Sequence, residues 1–91
     1  MKVTVEYNHY VLRKITGKEA EHLQVGDASS FQDLLALLEN RYGKAFTDLV
    51  TDPVNGSIRS PILVNGEGVS DPRRLLRSGD RIHILARTTS G

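Results

Sequence analysis

One segment of this chain is committed to a helix, and the rest has to supply whatever covers it. In "SSFQDLLALLENRYG", Phe31, Leu34, Leu35, Leu38 and Tyr42 recur at helical spacing, which gathers them on one stripe. Ser30 stands three residues ahead of Asp33 in a capping-box arrangement, and Gly43 suits the stop. No other stretch carries so long a stripe, so the chain has one main helix whose apolar face needs a partner surface. We read that stripe as core rather than as a groove for another protein.

The flanking stretches predict the covering surface. Val3, Val5 and Tyr7 alternate with Lys2, Thr4 and Glu6, the period of a strand with one buried face. "NHYVLRKITGK" places Val11, Leu12 and Ile15 on one side of a short helical turn or loop ending at Gly17. Glu21, Leu23 and Val25 then alternate with Ala20, His22 and Gln24, predicting a strand that returns beside the first, with Leu23 and Val25 inward. Phe46, Leu49 and Val50 suggest one more helical turn before loop signals at Asp52-Pro53 and Asn55-Gly56. Ile62 to Val64, the pair Asn65-Gly66 and Val69 predict a second hairpin. "DPRRLLRSGD" predicts a short helical turn carrying Leu75 and Leu76, and Ile82, Ile84 and Ala86 mark a last strand from Arg81 to Arg87. Strands and one main helix in this order make an α+β fold. If the last strand joins beside the first, the chain leaves the sheet at its margin.

Composition bounds the function. Ninety-one residues make one small domain, read as residues 1–87 with a tail over 88–91. A chain this short buries about 60 to 65% of its unfolded surface, which disfavours a deep catalytic cleft and favours a carrier or small subunit over a self-sufficient enzyme. Twelve Lys and Arg against eleven Asp and Glu give a net charge of +1, so no general field steers the chain to nucleic acid or an anionic membrane. Cysteine is absent, which removes disulfides, thiolate nucleophiles and cysteine-based zinc sites together. The opening "MKVTVEYNHY" lacks a signal-peptide core and no run is long enough to span a membrane, so we expect a cytoplasmic protein.

No phosphate-binding glycine loop, HExxH or GxSxG motif is present. His9, His22 and His83 sit on separate segments without ligand spacing, so no metal site is expected. Arg73, Arg74, Arg77, Arg81 and Arg87 gather late in the chain beside Glu67, Asp71 and Asp80, which partly neutralise them. Nucleic-acid binding adds aromatic platforms to such a cluster, and the chain's five aromatics are mostly placed in core positions. Arg73, Arg74, Arg77 and Arg81 are better read as a docking face for an acidic protein partner. The tail Thr88, Thr89, Ser90 and Gly91 is either terminal fray or the reactive part.

The opening "KVTVEY", the "LRKITGK" turn, the "SSFQDLLALLENRYG" helix, "ILVNGEGV" and "LLRSGDRIHIL" together resemble the β-grasp sulfur carriers typified by MoaD, the small subunit of molybdopterin synthase, and by ThiS. The resemblance covers nearly the whole chain. It implies a ubiquitin-like fold with a mixed sheet of four to five strands packed on the main helix. It also implies that the Gly91 carboxylate is adenylated by an ATP-dependent, ubiquitin-activating-type enzyme and converted to a thiocarboxylate, with Arg87, Thr88, Thr89 and Ser90 as the arm that enters the partner. No cofactor is then bound by this chain, since ATP and metal belong to the activating partner. Molybdopterin biosynthesis is the implied pathway, with the large synthase subunit or another sulfur-accepting enzyme as second partner. The family ends in two glycines where this chain has Ser90-Gly91. Chemistry supports such a terminus: a carboxylate's charge resists nucleophilic attack until it becomes an acyl adenylate, and glycine, lacking Cβ, enters narrow channels. Small side chains also cost little entropy to order. The alternatives are a modifier joined through Gly91 to lysines of other proteins, and a β-grasp interaction or RNA-associated module with an inert tail.

Overall fold

The computed structural model describes residues 1–86. The first alternating stretch forms β1 (Lys2–Asn8), followed by α1 (Tyr10–Thr16) and β2 (Ala20–Gln24). The amphipathic segment forms α2 (Phe31–Tyr42), the next turn α3 (Lys44–Val50), and the rest supplies β3 (Ile62–Val64), β4 (Glu67–Val69) and β5 (Arg81–Leu85). The strands make one five-stranded mixed sheet in the order β2-β1-β5-β3-β4. β1 runs antiparallel to β2 and parallel to β5, while β3 is antiparallel to both β5 and β4. This is the α+β, ubiquitin-like β-grasp architecture.

Period-two burial gives the sheet one apolar face, with Val3, Val5, Tyr7, Leu23, Ile62, Val64, Ile82 and Ile84 all buried. Phe31, Leu34 and Leu38 of α2 enter the same cluster, as the helical stripe requires. Phe46 ties α3 to both layers, since its ring meets Tyr7 edge-on and stacks with Tyr42, each at 5.8 Å between centroids. Such aromatic pairs add about 0.5–1.5 kcal/mol beyond area burial.

The helix start repeats the sequence signal and adds something the sequence did not announce. Ser30 and Asp33 form the reciprocal capping box. The two preceding amides bond elsewhere: Phe31 N–H donates to the Arg74 carbonyl at 2.8 Å and Gln32 N–H to that of Pro72 at 2.7 Å. This corrects the expected helical turn over Leu75 and Leu76. Asp71 instead makes a side-chain turn, accepting from Arg73 N at 2.9 Å, and the chain then runs extended past Ser30, where it forms an isolated bridge with Leu75. A helix there would reclaim the carbonyls that satisfy α2's first turn. Leu76 is therefore buried while Leu75 remains 62% exposed.

Two further expectations are corrected. α1 is capped by His9, whose Nδ1 accepts from Val11 N and Leu12 N, and this phase turns Leu12 and Thr16 inward but leaves Val11 42% exposed. The last strand joins beside β1 as expected but stops at Leu85, and because β3 pairs with its other edge the chain leaves from a central strand rather than at the sheet margin.

Asn65 and Gly66, which join β3 to β4, both have positive φ, 53° and 87°, as a two-residue hairpin of matching twist demands. A Cβ at Gly66 meets no atom within 4 Å, so the cost of Gly66→Ala is conformational. The expected loss is about 1–2 kcal/mol, read as a lower urea midpoint at unchanged slope.

Candidate functional site

β5 delivers the chain to one end of the sheet between two neighbours. Leu85 N–H donates to the Pro61 carbonyl at 2.9 Å and Ala86 N–H to that of Asn8 at 3.1 Å, so the backbone is held on both sides as far as Ala86. Arg87, Thr88, Thr89, Ser90 and Gly91 lie outside the described residues. The end of β1 and the start of α1 share this end of the sheet, and Tyr10, 70% exposed, follows two residues after Asn8. Tyr10 and Val11 thus present apolar surface near the point of exit, with Lys14 Nζ 4.7 Å above the Tyr10 ring.

The open face of the sheet carries a polar network across β1 and β5. Glu6 Oε2 lies 3.2 Å from Arg81 Nε and 3.4 Å from His83 Nε2. Asn8 Nδ2 meets His83 Nδ1 at 3.1 Å. An amide donor at Nδ1 leaves the ring proton on Nε2, facing the Glu6 carboxylate. Among the described residues no group of three His, Asp or Glu side chains could hold a metal ion. His9 caps α1, and His22 Nδ1 meets Thr4 Oγ1 at 2.9 Å.

The arginines read from the sequence as one face are distributed over three places. Arg81 belongs to the open sheet face through Glu6, and Arg73 folds back on Asp71 at 3.3 Å. Backbone and side-chain hydrogen bonds from Arg73 hold the Asp71 carboxyl below its usual pKa. Arg74 and Arg77 line a separate groove. Asp80, read as a neutralising surface charge, is instead buried and fixes the turn before β5: its oxygens accept from Asn65 Nδ2 and Arg77 N, each at 2.8 Å.

Sequence reasoning missed Glu21. It lies on the inward phase of β2 with Leu23 and is only 9% exposed. Tyr7 Oη donates to Glu21 Oε2 at 2.6 Å and Tyr42 Oη donates to the same oxygen, while Arg41 Nη1 donates to Oε1 at 2.9 Å and Lys18 Nζ lies 3.4 Å away. The signal was its phase with Leu23 and Val25, and the pairing hydroxyls were the two tyrosines already assigned to the core. Burial acts to raise the Glu21 pKa, but hydrogen bonds from Tyr42, Tyr7 and Lys18 outweigh it and hold the carboxyl below its ordinary value of 4.5. Burial first, and then the hydrogen bond to Glu21, push Tyr7 well above its ordinary value of 10.0.

Both shifts carry a sign for stability. A depressed carboxyl stabilises the fold above its unfolded pKa and loses that contribution as pH falls through the folded value. A raised phenol stabilises below its unfolded pKa and loses that contribution as pH rises beyond it. The melting temperature is therefore expected to be flat between about pH 5 and 9 and to fall outside both limits, near the ordinary values of Glu and Tyr. Calorimetry across pH checks this, and Tyr7→Phe should lessen the alkaline loss.

Comparison with known proteins adds the decisive observation: the ThiS family model matches residues 5–89. The chain belongs to the ThiS family. The structure of the putative molybdopterin converting factor, subunit 1, from Pyrococcus furiosus is similar, with a TM-score of 0.78 and 23% identity over 97% of this chain and 99% of that one. CysO from Mycobacterium tuberculosis gives 0.76 and 25% identity over 94% and 99% of the two chains. Small archaeal modifier protein 1 from Haloferax volcanii gives 0.78 and 17% over 96% and 98%. A search of the curated proteins found no match. For this ThiS-family chain the likenesses run the length of both partners, so the fold has neither lost nor gained a layer relative to them. No helix among its described residues is long and apolar enough to cross a membrane.

Proposed function

We propose that this ThiS-family chain is a sulfur carrier whose Gly91 carboxylate is adenylated by a ubiquitin-activating-type enzyme and then converted to a thiocarboxylate. The observation that carries the reading is the family match through residue 89, taken with a central β5 that aims the chain out of the sheet at a point flanked by Tyr10 and Val11. In the activation step a carboxylate oxygen bonds to the α-phosphorus of ATP and pyrophosphate leaves. A sulfide-level sulfur nucleophile supplied on the partner then attacks the carbonyl, the C–S bond forming as the C–O bond to AMP breaks and AMP leaves. Nucleotide and metal sit on that partner, and this chain contributes the electrophile and the arm, Arg87 to Ser90, that presents it. Tyr10 and Val11 supply the docking surface closest to the arm, and the open sheet face extends it along β5 toward Arg81.

The sulfur acceptor we propose is a molybdopterin-synthase large subunit, which the likeness to a molybdopterin converting factor subunit 1 supports. This reading places the reaction in the cytoplasm. The test is incubation of the purified chain with ATP, its activating enzyme and a sulfur donor, followed by intact-mass measurement. An oxygen-to-sulfur shift localised to Gly91 is expected. Its absence, with a control carrier active in parallel, overturns the proposal. The likeness to a small archaeal modifier protein supports a second reading, conjugation through Gly91 to lysines of other proteins. A slowly formed, thiol-resistant adduct of higher mass in cells would favour it.

A further inference from the structure

On the open sheet face, the contacts of His83 leave one side chain able to stand in two ways. His83 lies on the central strand β5 and is partly buried, and few groups face its ring. On β1, Glu6 Oε2 lies 3.4 Å from Nε2, and Asn8 Nδ2 lies 3.1 Å from Nδ1. On β5 itself, Arg81 is held to the same Glu6 oxygen at 3.2 Å. On β3 the residue in register is Leu63, which carries no charge. His9, next to Asn8, is a second titratable group on this segment, and it is turned toward α1, where its Nδ1 accepts from Val11 N at 3.2 Å.

These neighbours fix the role of each ring nitrogen. An ionised Glu6 only accepts, so the single proton of a neutral His83 sits on Nε2 and Nδ1 is an acceptor. Asn8 must then offer its amino group, and its Oδ1 makes no hydrogen bond among the described residues. A second proton can go only to Nδ1, and histidine is the side chain that ordinarily takes one up between about pH 8 and 5. An N–H at Nδ1 facing the Asn8 amino group sets donor against donor. A half-turn of the Asn8 amide removes that conflict without repacking, because its oxygen and nitrogen are nearly the same in shape. We propose that His83 and Asn8 form a proton-operated switch beside the tail: with the ring neutral, Asn8 turns Oδ1 outward, and with the ring protonated it turns Nδ2 outward.

Asn8 is also the residue whose main-chain carbonyl takes the Ala86 N–H, the last backbone bond before the arm among the described residues. That bond uses the main chain alone, so β1 and β5 stay joined in both states. A partner closing on this end of the sheet meets an acceptor above the transition. Below it the same partner meets a donor, together with one more positive charge beside Glu6 and Arg81. The switch belongs to this chain by itself and works whether or not Gly91 carries sulfur.

NMR of the full chain titrated from about pH 8 to 5, inside the range where melting is expected to be flat, tests the switch. At the upper limit the ring nitrogens should report a proton on Nε2. The Asn8 side-chain amide and the His83 ring should then move with one midpoint. His83→Gln should hold the Asn8 amide still, while the Val11 amide continues to follow His9. Asn8→Asp, whose ionised side chain only accepts, should raise the proton affinity of the ring about tenfold or more, as an adjacent opposite charge does. A ring proton on Nδ1 at the upper limit would overturn the proposal. So would an Asn8 amide that still titrates in His83→Gln, or an unchanged midpoint in Asn8→Asp.

Discussion

Deleting Gly91 is expected to abolish sulfur loading while the protein melts at the temperature of the intact chain. The core is complete by Ile84, and the last backbone bonds tie Leu85 and Ala86 to Pro61 and Asn8, so the fold does not draw on the terminal residue. Under the proposed function, activation draws on it entirely. Truncation moves the carboxylate back by one residue, about 3.3 Å, and sets a serine Cβ where glycine had none. A displacement of about 1 Å can cost a hundredfold in a positioned reaction, so the truncated chain should show no thiocarboxylate by intact mass at any practical time. Ser90→Gly separates two ways of threading. If the arm requires positive φ at that position, the change should speed loading about tenfold, corresponding to roughly 1–2 kcal/mol of relieved strain. An unchanged rate means that the arm enters extended, where serine fits without strain.

The second large effect concerns stability rather than chemistry. Glu21→Leu should destabilise the fold by about 2–4 kcal/mol, because it strands the buried Tyr7 hydroxyl and removes the acceptor that joins β1, β2 and the end of α2. Arg41 and Lys18 are about half exposed, so their ion pairs add little to that figure. For a domain of this size the loss lowers the melting temperature by on the order of 10–20 °C. Glu21→Gln keeps an acceptor for one tyrosine and should fall between. The double variant Glu21→Leu with Tyr7→Phe removes the stranded hydroxyl, and recovery of part of the loss identifies that hydroxyl as its source. Equal melting of Glu21→Leu and the native chain would mean that water replaces the carboxylate without cost.

What could be read from the sequence was what local chemistry decides alone. The capping box at Ser30 and Asp33, the turn pair Asn65-Gly66 and the alternation in β1 each have a signal within a few residues, and each appears as expected. The segment from Asp71 to Leu76 was misread because its neighbouring leucines suit a helix, while the reason it stays extended is forty residues away, in the unpaired amides of α2. Glu21 was passed over because a carboxylate in an inward position makes sense only once two tyrosines and an arginine from other elements arrive beside it. The arginines looked like one cluster because they are close in sequence, but β5 carries Arg81 to one face while the preceding turn leaves Arg74 and Arg77 in a groove.

The place of β5 has a further consequence, for synthesis. Its neighbours β1 and β3 are translated before it, and Thr4 must wait for Arg81 before it has a partner on that side. Contacts so distant in sequence slow folding, and until they form, the nascent sheet is two separate hairpins without a middle. A polypeptide released short of Leu85 lacks the strand on which both hairpins converge. The strand that comes just before the chain's last residues is thus also the one whose arrival allows the domain to fold, so incomplete chains are exposed to proteolysis.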